Sequence, residues 1–184
     1  MPRPPKGQGG MRPEVTASAT SPLTGPELNM QAAMQALVTW ADSSSLQATL
    51  MDKSDFPLPG DLPAFLLVNQ LTYRGAARPT DLADAIRTGR SNVSKIVRRL
   101  EAADLVSRAA NPDNGRESVI FLTPHGREVA QRILNAAEGP YVNPFDGWTE
   151  EELFELDRLV VKLARSLNRA SGNALERSAG YALE

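Results

Sequence analysis

One stretch limits the fold more than any other part of the chain. Between Pro79 and Leu122 the apolar residues recur with a helical period, pause, recur helically again, and then switch to two strand-like runs across an Asn-Gly turn. Thr80 is a capping residue type ahead of Leu82, Ala83 and Ile86, and the break spans Arg87 to Arg90 around Gly89. Ser91 is placed to cap the second helix. Behind it Val93, Ile96, Val97 and Leu100 occupy i, i+3, i+4 and i+7, a single apolar stripe. At about 100° per residue, Ser91, Lys95 and Arg98 fall near the middle of the opposite face, with Asn92, Ser94 and Arg99 towards its edges. Leu105–Ala110 and Arg116–Leu122 read as strands joined by Asn111-Pro112-Asp113-Asn114-Gly115. Helix, tight turn, helix and two-stranded hairpin, in that order, describe a winged helix-turn-helix.

The flanks are helical. Thr24 and Glu27 have capping-box spacing ahead of Leu28, Met34, Leu37, Val38 and Ala41, and Ser43-Ser44-Ser45 interrupts that pattern. Asp52–Pro59 reads as a loop, and Asp61 with Pro63 opens a helix carrying Leu62, Phe65, Leu66 and Tyr73 that ends at Gly75. Thr123-Pro124 begins another, with Val129, Ile133, Leu134 and Ala137 on one side and Gly139-Pro140 as its stop. Thr149 and Glu152 repeat the capping-box spacing, and Leu153, Leu156, Val160, Leu163 and Leu167 then step by alternating threes and fours up to a terminator at Gly172. That stripe suits an intramolecular core or a seam between subunits. Residues 1–23, rich in proline and glycine, read as a disordered tail, within which Met11 serves as well as Met1 as a translation start.

Charge is distributed unevenly. From Thr72 to Arg127 there are ten basic and six acidic residues, whereas the rest of the chain holds ten basic and sixteen acidic. A basic centre between acidic flanks suits an anionic polymer. A helix fits the major groove of B-DNA, and Arg, Lys, Asn and Ser on its outer face offer donors to base edges and phosphates. Ser91, Asn92, Ser94, Lys95, Arg98 and Arg99 are therefore the candidate DNA contacts, and Arg116 beside the hairpin turn reaches for the backbone or minor groove.

Other chemistries are poorly served. The chain has no cysteine and a single histidine, His125, so thiol catalysis, a thiol redox switch and the usual zinc sites are not expected, and neither is a cofactor. A Ser-His-Asp hydrolase would have to be built on His125 alone, and the chain does not read as an enzyme. The longest strongly apolar run, Ala64–Val68, is far short of the roughly 20 residues that span a bilayer, and no cleavable leader pattern opens the chain, so a cytoplasmic protein is expected. Trp40, Phe65 and Tyr73, with Phe145 and Trp148, suit core packing or the lining of an aromatic effector cavity.

The segment from about Pro79 to Ile133 resembles the core of MarR-type transcriptional regulators. The matching positions are Leu82-Ala83, the Ser-rich helix Ser91–Glu101, Leu105-Val106 with Arg108, the wing residue Arg116, and Leu122-Thr123 with Gly126. Three positions depart from that pattern: Asn114 replaces the wing's usual aspartate, Gly115 the basic residue that usually follows it, and Asp104 the usual glycine before Leu105-Val106. The resemblance implies a mainly α fold with a small β-hairpin wing and flanking dimerisation helices. It divides the chain into a tail (1–23), an N-terminal dimerisation helix and loop (24–60), a DNA-binding domain (61–138), a C-terminal dimerisation helix (139–172) and a flexible tail (173–184). It further implies a homodimeric repressor on a pseudo-palindromic operator of double-stranded DNA, relieved by a small organic effector, a small aromatic effector among the candidates. The alternative from another class is a winged-helix protein-interaction or structural module that does not read DNA.

Overall fold

The structure is a computed structural model, and it describes residues 29–110, 117–139 and 142–172. The expected tails, the Thr24 cap and the Asn111–Arg116 wing tip lie outside these residues. The chain divides into two compact units, Met1–Ala41 and Asp42–Glu184. In the first, helix α1 (Met30–Ala41) begins where the side chain of Asn29 accepts the Ala32 N–H at 2.9 Å, and its Met30, Leu37 and Val38 side chains are exposed.

The second unit opens with α2 (Ser44–Lys53), capped by the Ser43 hydroxyl, so the serine run that interrupts one helix also starts the next. Helix α3 (Leu62–Arg74) starts as its sequence indicates, with the Asp61 carboxylate accepting the Ala64 N–H at 3.2 Å and Pro63 in the first turn. A two-residue strand β1 (Ala76–Ala77) follows, then α4 (Pro79–Ala85), α5 (Arg90–Ala102), β2 (Val106–Ala110), β3 (Ser118–Leu122), α6 (Pro124–Glu138) and α7 (Glu150–Ala170).

Two helix starts differ from expectation. Helix α4 begins at Pro79 behind an extended Arg78, because proline already has the backbone angle of a first helical residue, so Thr80 lies inside it. Helix α5 is capped by Gly89 in extended conformation with no side-chain hydrogen bond, which makes Ser91 its second residue rather than its cap. The other caps match the expectation. Thr123 Oγ1 accepts the Gly126 N–H at 2.9 Å, and Thr149 with Glu152 forms a complete capping box at the start of α7.

The three strands are antiparallel in the order β1-β3-β2, with Val106 opposite Leu122, Ala110 opposite Ser118 and Ala76 opposite Phe121. β1 is too short to leave a sequence signature and exists by pairing with β3. Beneath the sheet, Phe65, Leu71, Val93, Ile96, Leu100 and Ile120 are buried and join α3, α5 and β3 in one core. Phe56 meets Phe65 edge to face at 5.4 Å.

Helices α2, α4 and α5 end in the same way. In each, one N–H reaches back five residues (Phe56 to Met51, Thr88 to Ala83, Leu105 to Leu100) and the preceding N–H reaches back three (Asp55 to Asp52, Arg87 to Asp84, Asp104 to Glu101). Closing that pair of bonds needs a left-handed residue, and Asp55, Arg87 and Asp104 take it at φ of 49°, 51° and 54°. The bend of the helix-turn-helix therefore lies at Arg87, with Gly89 already belonging to the next helix. At the other end of the hairpin, the Thr123 hydroxyl donates to Asp104 O at 2.5 Å, and the Gly126 Cα lies so close to Leu105 that a Cβ there would sit 1.9 Å from its carbonyl oxygen.

Candidate nucleic-acid interface

Helix α5 is two-faced as its spacing requires. Val93, Ile96, Val97 and Leu100 are fully buried against the core, while Ser91, Asn92, Ser94, Lys95, Arg98 and Arg99 are exposed. Burial of four branched apolar side chains on one stripe determines which face turns outward.

The exposed side chains differ in what they are bound to. Asn92 Nδ2 donates to Thr88 Oγ1 at 2.8 Å, which ties the first turn of α5 to the preceding turn, and Ser94 Oγ donates to Arg90 O at 3.2 Å. Arg99 is engaged in a fork, its Nε donating to Asp61 Oδ2 at 2.6 Å and its Nη2 to Asp61 Oδ1 at 3.0 Å. That fork holds the Asp61 carboxyl below the usual carboxylate range; burial opposes the shift, and the Ala64 N–H adds to it. Two residues on, Glu101 accepts from Arg108 of β2, Nε to Oε1 at 2.7 Å and Nη2 to Oε2 at 3.3 Å. Arg78 is likewise occupied, forked onto Asp81 at 2.9 Å with Glu117 at 3.7 Å, which joins the start of α4 to the base of the wing.

Lys95 and Arg98 form no ion pair with any described residue, and neither does Arg90, which opens α5 and is exposed. Sequence reasoning misses Arg90 because the break between the helices falls over it there. It finds Asp61 only as a cap, since its partner lies 38 residues away. Arg116 lies outside the described residues.

Of the aromatic candidates, Phe145 and Trp148 meet edge to face at 5.7 Å. Trp40 is on α1, in the first unit, and half-exposed. Phe65 is 1% exposed within the core, and Tyr73, on the same helix α3, is 55% exposed. His125, in the first turn of α6, has Nδ1 3.7 Å from a carboxylate oxygen of Glu128. Along α7, Leu153, Val160, Leu163 and Leu167 remain between 37% and 52% exposed, so the described residues do not cover its apolar stripe. Among the described residues no helix is long and apolar enough to cross a membrane.

Two helices across a tight turn, the second with its outer face exposed, and a hairpin packed behind them define a winged helix-turn-helix protein. Residues 61–118 match the family model described as MarR family. It is similar to the HTH-type transcriptional regulator YxaD of Bacillus subtilis (strain 168), 28% identical over 89 residues that make up 48% of this chain and 62% of that protein. The chain thus matches somewhat under two thirds of that relative's length. Among solved structures it is similar to the apo form of wild-type MarR from E. coli, at 15% identity over 76% of this chain and 98% of the other, with a TM-score of 0.54. It is also similar to NadR in complex with 4-hydroxyphenylacetate, at 19% identity over 78% and 97% of the two chains, with a TM-score of 0.51. These structural likenesses carry the fold.

Proposed function

We propose that the protein is a homodimeric, sequence-specific DNA-binding regulator of transcription, acting in the cytoplasm as a repressor whose hold on its operator changes when a small aromatic ligand binds. One observation carries the DNA reading: among the described residues, the outer face of α5 holds Lys95, Arg98 and Arg90 free of carboxylate partners, while the neighbouring charges Arg99, Glu101, Arg78 and Asp81 are already paired within the protein. Unpaired cations with Ser91 between them suit base edges and phosphates. Asn92 and Ser94 supply further polar contacts, and Arg116 at the wing reaches the backbone or minor groove.

The uncovered stripe of α7 and the apolar side chains of α1 support self-association, and a two-fold dimer would set two α5 helices in successive major grooves, about one helical turn apart on a pseudo-palindromic site. Occupying that site excludes other proteins from it, so repression is the expected sign. Aromatic responsiveness is supported by NadR, which was solved with 4-hydroxyphenylacetate. In this chain Phe65 is buried and Tyr73 exposed, both on α3, and Trp40 is half-exposed on α1.

Fluorescence titration of labelled duplex at two salt concentrations tests the DNA reading. Binding should weaken steeply with salt, and Lys95→Ala or Arg98→Ala should flatten that dependence by about 0.9 per lost phosphate contact or relax preference at one base position. No binding at low salt, or binding indifferent to both substitutions, would hand the fold to the protein-interaction alternative. Release of bound DNA by 4-hydroxyphenylacetate or other aromatic carboxylates tests the effector, and a lack of response to all of them would remove that part alone.

A further inference from the structure

The free face of α5 is gripped from both sides. On a helical projection Ser91, Lys95 and Arg98 cluster within roughly 60° of one another, Arg99 lies about 80° to one side of Ser91 and Glu101 about 80° to the other. Arg99 is forked onto Asp61, the cap of α3, and Glu101 is held by the fork of Arg108 on β2. The buried stripe beneath is apolar, and apolar packing is non-directional, whereas a two-point guanidinium-carboxylate contact fixes orientation as well as distance. With side-chain tips about 5–6 Å from the helix axis, a roll of roughly 10° moves them by about 1 Å, enough to spoil hydrogen bonds to base edges.

The geometry points to a positioning role for Arg99: with Asp61 on one flank, and Glu101 with Arg108 on the other, it sets the roll of α5 and so decides which side chains face the bases, without itself touching DNA. This rests on the DNA-binding reading above. It separates Arg99 from Lys95 and Arg98, beside which it stands in the sequence as an equivalent cation. Asp61 becomes a residue with two tasks, capping α3 and anchoring α5, both performed by one carboxylate that is 20% exposed.

The probe is the duplex that the parent protein recovers from a random pool, compared with its shuffled sequence, both titrated across a salt series. Asp61→Asn keeps a capping side chain and removes the charge, Arg99→Lys keeps the charge and removes the fork, and Arg99→Ala removes both. Each should cut the preference for the selected duplex by roughly tenfold while leaving the salt slope and the affinity for the shuffled duplex unchanged. Asp61→Asn with Arg99→Ala together should lose no more than the worse single change. A loss of fold alone would lower the active fraction at stoichiometric titration and not this ratio. The inference is overturned if Arg99→Ala flattens the salt slope by about 0.9 per protomer, if Arg99→Lys binds as the parent does, or if Asp61→Asn tightens binding by freeing a cation for phosphate. A parent that prefers no duplex at all would instead overturn the proposed function, and this inference with it.

Discussion

Replacing Asp104 by glycine should stabilise the protein. Asp104 holds the left-handed position that closes α5, at φ of 54°, and its carboxylate makes no hydrogen bond or ion pair with a described residue that would compensate. An L-residue in that conformation costs about 1–2 kcal/mol, somewhat less for aspartate, and glycine avoids the cost while giving back about 0.5–1 kcal/mol in unfolded-chain entropy. Removing a negative charge from a helix C-terminus adds a few tenths of a kcal/mol. The net gain is about 0.5–1 kcal/mol, or about 1–4 °C in melting temperature for a chain of this size. The backbone carbonyl that accepts from Thr123 is untouched, so the hairpin should keep its place. Thermal unfolding followed by circular dichroism reads the effect, with Asp104→Asn separating charge from backbone and Asp104→Ala expected to melt below the parent. A glycine variant that melts at or below the parent would refute the strain argument, and an asparagine variant that gains as much as glycine would assign the gain to charge.

Gly126→Ala should cost about 3 kcal/mol or more in urea unfolding, because its Cβ would lie 1.9 Å from Leu105 O, roughly 1.5 Å inside ordinary contact, and a variant as stable as the parent would refute that packing. The Asp61 carboxyl lies below its ordinary range in the folded state, so its contribution is fully present above the unfolded value of about 3.9 and is lost as pH falls through the lowered folded value; Asp61→Asn should flatten the acid limb of the melting curve below about pH 4, and an unchanged limb would count against the pair. Leu156→Glu on α7 should turn a sedimenting species of about twice 19.9 kDa into one of 19.9 kDa with helicity retained, whereas a monomeric parent would remove the dimer from the proposal.

What can be read from the sequence follows the range of the interaction concerned. The caps at Asp61, Thr123 and Thr149 are legible because donor and acceptor lie three residues apart, and the inward stripe of α5 because burial leaves a period. The ends of α2, α4 and α5 are obscured: their left-handed positions hold Asp55, Arg87 and Asp104 where glycine would announce them, so the break is drawn to Gly89 instead. β1 is defined only by its partner strand, and the pairing of Arg99 with Asp61 spans 38 residues with no local signal. The outward face of α5 is thus visible as a set of six polar residues, but which of them are already engaged becomes visible only with the neighbouring elements in place.

The close approach at Gly126 also has a mechanical meaning. Strand β3 ends at Leu122, α6 leaves two residues later, and between them Thr123 is bonded to Asp104 and Leu105 while Gly126 rests on Leu105. Hairpin and helix are joined at that point as the two arms of a rigid lever. The five-residue strands extend about 16 Å beyond it, so a tilt of roughly 5° in α6 would displace their far ends by about 1.4 Å. Any motion of α6 would be carried outward along β2 and β3, with little slack at the joint to absorb it.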